Sequence, residues 1–164
     1  MKKLFDELNE VLLEELNVYK EMLEVTNKKT EVITAGHVKD LDKITQLENT
    51  IIINIGKLEG KREKVVENIR KQLGLKEELN MTNIMEHLDK QAANDIEIIK
   101  SQLLDTLNKL KEKNQLNNVL IQDSLEFINL NIELLTSTSE QGTYNNKTGK
   151  EKSSQNVSFF DAKA

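Results

Sequence analysis

The sequence contains no cysteine, no proline and no tryptophan, and only six glycines among 164 residues. Without cysteine there is neither a disulfide nor thiolate chemistry, which suits a reducing compartment. Without proline, and with so little glycine, almost nothing interrupts a helix, whereas an all-β or α/β domain needs turn residues every ten or so positions. Aromatic residues make up 4% of the chain, too little bulky apolar matter for a thick globular interior, so a thin core of aliphatic seams is expected. No uninterrupted apolar stretch approaches the roughly 20 residues needed to span a bilayer. The opening Met1-Lys2-Lys3-Leu4-Phe5-Asp6-Glu7 meets two acids before any apolar run forms, so no export signal is readable. The expectation is a soluble, cytoplasmic protein without membrane insertion. A formal charge of −5 with the signs well mixed argues against nucleic acid as a partner.

What the sequence does contain is helical periodicity. When each residue advances about 100° around a helix, apolar side chains gather into stripes in three long segments. In the first, residues 2–34, Leu4, Phe5, Leu8, Leu12, Leu16, Tyr19, Met22, Leu23 and Ile33 share one side. Ala35-Gly36-His37 is a short break with a glycine suited to a left-handed helix end, so the second segment should turn back antiparallel. Over residues 38–73 the stripe runs Leu41, Ile44, Leu47, Ile51, Ile55, Leu58, Val65, Val66, Ile69 and Leu73, alternating threes and fours as in coiled-coil packing. Gly74 ends it. A short connecting helix is expected over residues 83–88, with Thr82 as its N-cap.

The third long segment, residues 91–136, carries a continuous stripe of Ala92, Ile96, Ile99, Leu103, Leu107, Leu110, Asn114, Asn117, Ile121, Leu125, Ile128, Ile132 and Leu135, which should face the first two helices. A second stripe, roughly 140° away, comprises Leu116, Leu120, Phe127, Leu130 and Leu134, with Val119 at its edge. At about 1.5 Å per residue the third helix should exceed its partners by roughly 20 Å. Asn114 and Asn117 on the first stripe either set register or mark a flexible point or break. A break there would let the second stripe fold back as an internal fourth helix; an unbroken helix would leave it as a patch beyond what a soluble monomer leaves unused. Such a patch is a ridge for another amphipathic helix, with Phe127 its best anchor. Residues 137–164 read as a flexible, polar tail ending in an apolar tip at 157–164 that contains Phe159 and Phe160.

Residues for chemistry are scarce. The two histidines, His37 and His87, have Thr34 and Ile84 three positions earlier, so the Glu-x-x-His pairs of a helical di-metal site are lacking and both read as solvated surface residues. Gly56 and Gly60 form a G-x-x-x-G flanked by Lys57, Glu59 and Lys61, an aqueous context in which a loosening of the helix is a better account than a membrane dimer motif. Neither a phosphate-cradling glycine loop nor an activated serine is visible. The reading is of a non-enzyme without metal or cofactor.

The helical hairpin followed by Asn114-Gln115-Leu116-Asn117-Asn118-Val119-Leu120-Ile121, Leu125-Glu126-Phe127-Ile128, Leu134-Leu135, the linker Gly142-Thr143-Tyr144 and the terminal Phe160-Asp161-Ala162 resembles the FlgN family of flagellar type III export chaperones over nearly the full length. The resemblance implies a cytoplasmic chaperone that binds the C-terminal helices of hook-filament junction proteins, prevents their premature assembly and delivers them to the export gate. Substrate contact would fall on Leu116, Leu120, Phe127, Leu130 and Leu134, the residues that the second stripe selects independently. Tyr144 would dock at the gate.

The expected fold is therefore all-α: an elongated antiparallel bundle of three long helices with coiled-coil-like packing, a short connecting helix and a disordered C-terminal tail, bundle residues being 1–136. The competing reading is a self-associating coiled-coil or scaffolding protein, and the same stripe allows a homodimer when no substrate is bound.

Overall fold

The computed structural model describes residues 2–75, 79 and 81–141, with side chains placed through residue 136. The helices are α1 (Lys2–Thr34), α2 (Val38–Leu73), α3 (Met81–Met85) and α4 (Lys90–Gln141), and the described residues contain no strand. The all-α architecture read from the sequence is the one observed. The chain divides after Ser124 into two units, Met1–Ser124 and Leu125–Ala164.

In the first unit α1 and α2 form an antiparallel hairpin. Gly36 adopts φ 69°, the left-handed conformation that a residue without Cβ enters freely. Around it the amides of Ala35, Gly36 and His37 donate to the carbonyls of Glu31, Ile33 and Val32 at 2.9–3.1 Å, closing the end of α1. Ion pairs then run down the hairpin: Lys29 with Glu48 at 2.8 Å, Glu15 with Arg62 at 3.0 Å, Glu14 with Lys61 at 3.1 Å. From the first pair to the other two, numbers fall on α1 while they rise on α2, as antiparallel helices require. α2 ends at Gly74, again left-handed, and the Arg70 guanidinium ties off the turn by donating to the Leu75 carbonyl at 2.7 Å. Arg70 also makes two hydrogen bonds to the Glu67 carboxylate, at 2.7 and 2.8 Å. These hold the Glu67 pKa down to about 2.

α4 enters this unit parallel to α1. Asp89 caps it, its Oδ1 accepting from the Ala92 amide at 2.9 Å, an N-cap that satisfies one of the orphan donors of the first turn. Ile96 and Ile99 of α4 join Phe5, Leu8, Leu12 and Leu16 of α1, Val65 and Ile69 of α2, and Ile84 of α3 in one core cluster. A second cluster joins Met22 and Val25 of α1 to Ile51 of α2 and Leu110 of α4. Farther along, the Asn117 side-chain amide donates to the Thr26 carbonyl at 3.2 Å. Increasing numbers on α1 thus meet increasing numbers on α4.

α1 is the helix shared by both neighbours, and this changes which residues are buried. Its buried set includes Val11, Glu15, Val25 and Thr26 beside the expected stripe, because a helix packed on two sides buries about half its circumference rather than one narrow seam. Conversely α2 fully buries only Ile51, Val65 and Ile69; Leu47, placed on its core stripe by periodicity, is exposed. The short helix spans Met81–Met85 rather than 83–88, and α4 extends to Gln141 rather than ending at 136. At Gly56 and Gly60 an added Cβ would meet nothing within 4 Å, so neither glycine serves a close helix approach.

Candidate protein-binding helix surface

α4 is a single helix through Asn114 and Asn117. The broken helix with an internal fourth segment is therefore not formed, and the two asparagines separate in role. Asn114 is exposed, while Asn117 is 2% exposed and bonded to α1. A buried amide reaching one particular carbonyl penalises sliding of α4 along α1, since a shifted register leaves it unpaired. Thr26, whose carbonyl it uses, is itself fully buried, with its hydroxyl donated to the Met22 carbonyl at 2.8 Å.

Within the first unit Leu116 is exposed and Leu120 half-buried. In the second unit every side chain from Leu125 to Thr136 is exposed. Phe127, Leu130 and Leu134, on the expected second stripe, stand 68%, 59% and 65% exposed. Leu125, Ile128, Ile132 and Leu135 were expected to face the first two helices, and this is not what the structure shows: they are 47–72% exposed. α4 has 52 residues against 33 in α1.

The segment thus exposes apolar side chains on two sides of one helix turn after turn, which makes it the candidate surface of this protein. Two of its polar residues are turned inward. Asn131 donates to the Phe127 carbonyl at 2.8 Å and Thr136 to the Ile132 carbonyl at 2.9 Å, both back onto their own helix. Tyr144 and the Phe159-Phe160 tip lie outside the described residues.

Elsewhere the described residues hold little reactive chemistry. His37 and His87 are both exposed, and no three His, Cys, Asp or Glu side chains gather as a metal-holding group among the described residues. A hollow of about 430 Å³ beside α2 and α3 is lined by Arg62, Glu63, Val66, Glu67, Arg70, Leu79, Met81 and Ile84, and none of these is a serine, threonine or histidine. Its two arginines are held by Glu15 and Glu67. Burial pushes the Glu15 carboxyl above its ordinary value, with Arg62 opposing the shift, which is the behaviour of an interior ion pair rather than of a group poised in a cleft. No described helix is long and apolar enough to cross a membrane.

Helices packed through thin aliphatic seams, with exposed apolar side chains gathered on one stretch of α4, define the class of the protein as an all-helical one built around a helical hairpin. The sequence carries the identification one step further. The family described as FlgN protein matches residues 1–152, and the chain belongs to that family, whose members are flagellar export chaperones rather than enzymes. It is also similar to the uncharacterized protein YvyG of Bacillus subtilis (strain 168), with 26% identity over 148 residues covering 90% of this chain and 91% of that protein. No solved structure matches the chain.

Proposed function

We propose that the protein is a cytoplasmic export chaperone that holds the C-terminal helices of hook-filament junction proteins, keeps them from assembling prematurely and hands them to the flagellar type III export gate. The observation that carries this reading is the run of exposed apolar side chains from Leu125 to Leu135 on an unbroken helix, in a chain of the FlgN family. An apolar helix with spare surface caps a sticky amphipathic helix by burying its apolar stripe, reversibly and without nucleotide. Phe127, Leu130 and Leu134 form the centre of the capture surface, with Leu116 and Leu120 extending it along α4. Tyr144 docks at the export gate.

Co-purification with the C-terminal segment of a junction protein tests the capture step. Phe127→Asp should weaken capture by about thirtyfold or more, the loss typical of a removed aromatic anchor, while circular dichroism stays that of the parent chain. Unchanged capture would refute the proposed surface. Tyr144→Ala should retain capture and lose delivery; loss of both would move Tyr144 into the substrate site.

A further inference from the structure

Between Lys113 and Lys147 the sequence has no lysine or arginine, yet it carries Asp123, Glu126, Glu133 and Glu140. In the second unit Glu126 and Glu133 are both exposed. Seven residues apart, they lie on the same side of α4 about 10.5 Å from each other along its axis, next to Leu130 around the helix. Neither takes part in the ion pairs formed among the described residues. On the opposite edge of the stripe lies neutral Asn131, turned back onto the Phe127 carbonyl. The apolar strip of Phe127, Leu130 and Leu134 therefore has one acidic border and one neutral border.

We infer that the occupant of this strip is an amphipathic helix whose own apolar stripe is bordered on one side by lysines or arginines about seven residues apart. The inference rests on the reading that residues 125–135 hold a partner helix, and it specifies that partner's chemistry. Two cationic side chains at that spacing meet Glu126 and Glu133 whichever way the partner runs, and the single acidic border selects which side of the strip they occupy. A second copy of this chain is disfavoured, because pairing through the same strip sets its Glu126 and Glu133 against the first pair. An anionic lipid surface is disfavoured by the same repulsion.

The test uses the full chain and two synthetic amphipathic helices of about three heptads with one shared leucine and phenylalanine stripe, bordered in one peptide by lysine and in the other by glutamate. By fluorescence anisotropy in low salt the lysine-bordered peptide should bind about tenfold tighter, the two exposed pairs and the relieved repulsion each contributing a few-fold. In high salt the gap should shrink to about threefold or less. The double substitution Glu126→Lys, Glu133→Lys, on exposed positions where lysine is a good helix former, should reverse the preference. Equal binding of the two peptides, or a preference that survives the double substitution, overturns the inference while capture by the apolar strip stands, provided Phe127→Asp still abolishes binding of both. Failure of both peptides to bind, or indifference to Phe127→Asp, overturns the capture reading and the inference with it. A concentration-dependent dimer lost in Phe127→Asp would assign the strip to a second copy and also overturn the inference.

Discussion

Residues 5–16 of α1 and residues 125–135 of α4 are written in nearly the same alphabet of leucine, isoleucine or valine, asparagine and glutamate, and they end in opposite states. On α1, Phe5, Leu8, Val11, Leu12 and Leu16 are buried, and the one carboxylate drawn into the interior, Glu15, is matched by Arg62. On α4, seven apolar side chains are exposed and the two glutamates beside them have no cationic partner among the described ion pairs. Intrinsic helix propensity and amphipathicity do not distinguish the two stretches. The difference lies in burial, and it teaches that similar apolar content in this protein has two fates: in the first unit it forms the core, and in the second it stays exposed.

The largest expected effect sets these fates against each other. Leu8→Ala removes a side chain with no exposure and should cost about 2–5 kcal/mol in urea unfolding of the full chain, whereas Leu130→Ala should stay within about 0.5 kcal/mol. Equal losses would mean that residues 125–135 are packed in solution and would erase the contrast.

Next come the glycines. Because a Cβ at Gly56 or Gly60 meets nothing within 4 Å, Gly56→Ala and Gly60→Ala should each stabilise by about 0.5–1 kcal/mol through helix propensity and a less disordered unfolded chain. Destabilisation would show that the open side of α2 is covered. Asn117→Ala should cost about 1 kcal/mol through loss of its hydrogen bond to Thr26, near the lower end for a buried amide because its Oδ1 already lacks a partner and that penalty disappears with it. A similar cost for exposed Asn114→Ala would remove the distinction between the two asparagines.

The smallest effect is electrostatic. Burial raises the Glu15 pKa above 4.5 in the folded state, so the folded protein binds this proton more tightly than the unfolded chain does. The resulting stability is fully present below 4.5 and is lost as pH rises through the elevated folded value. Glu15→Gln should flatten the stability profile in that window, measured by the urea midpoint at successive pH values. An unchanged profile would show that Arg62 fully offsets the burial.

Much of this architecture was legible in the residues. Gly36 and Gly74 mark the ends of α1 and α2 because left-handed termini favour glycine, and the absence of proline agrees with α4 running unbroken past Asn114 and Asn117, where the sequence left both a register role and a break open. Phe127, Leu130 and Leu134 were legible as an apolar stripe on a side of α4 different from the core. The exposure of Leu125, Ile128, Ile132 and Leu135 was not, because periodicity places them on the same seam as Ile96 and Leu110 and records the direction of a side chain, not its burial. The burial of Val11, Glu15 and Thr26 escaped for the complementary reason: a wheel drawn for one partner does not show that α1 serves two.

The sequence by itself determined the helices, their ends and the antiparallel turn of the first two, since these depend on local backbone preferences and on the spacing of apolar residues along one chain. Tertiary structure decided which apolar residues are buried: α1 as the shared helix, Asn117 locked to Thr26, and the exposure of the apolar side chains from Leu125 to Leu135. That division is physical, because periodicity records the direction in which a side chain points, and burial depends on whether another helix is there to meet it.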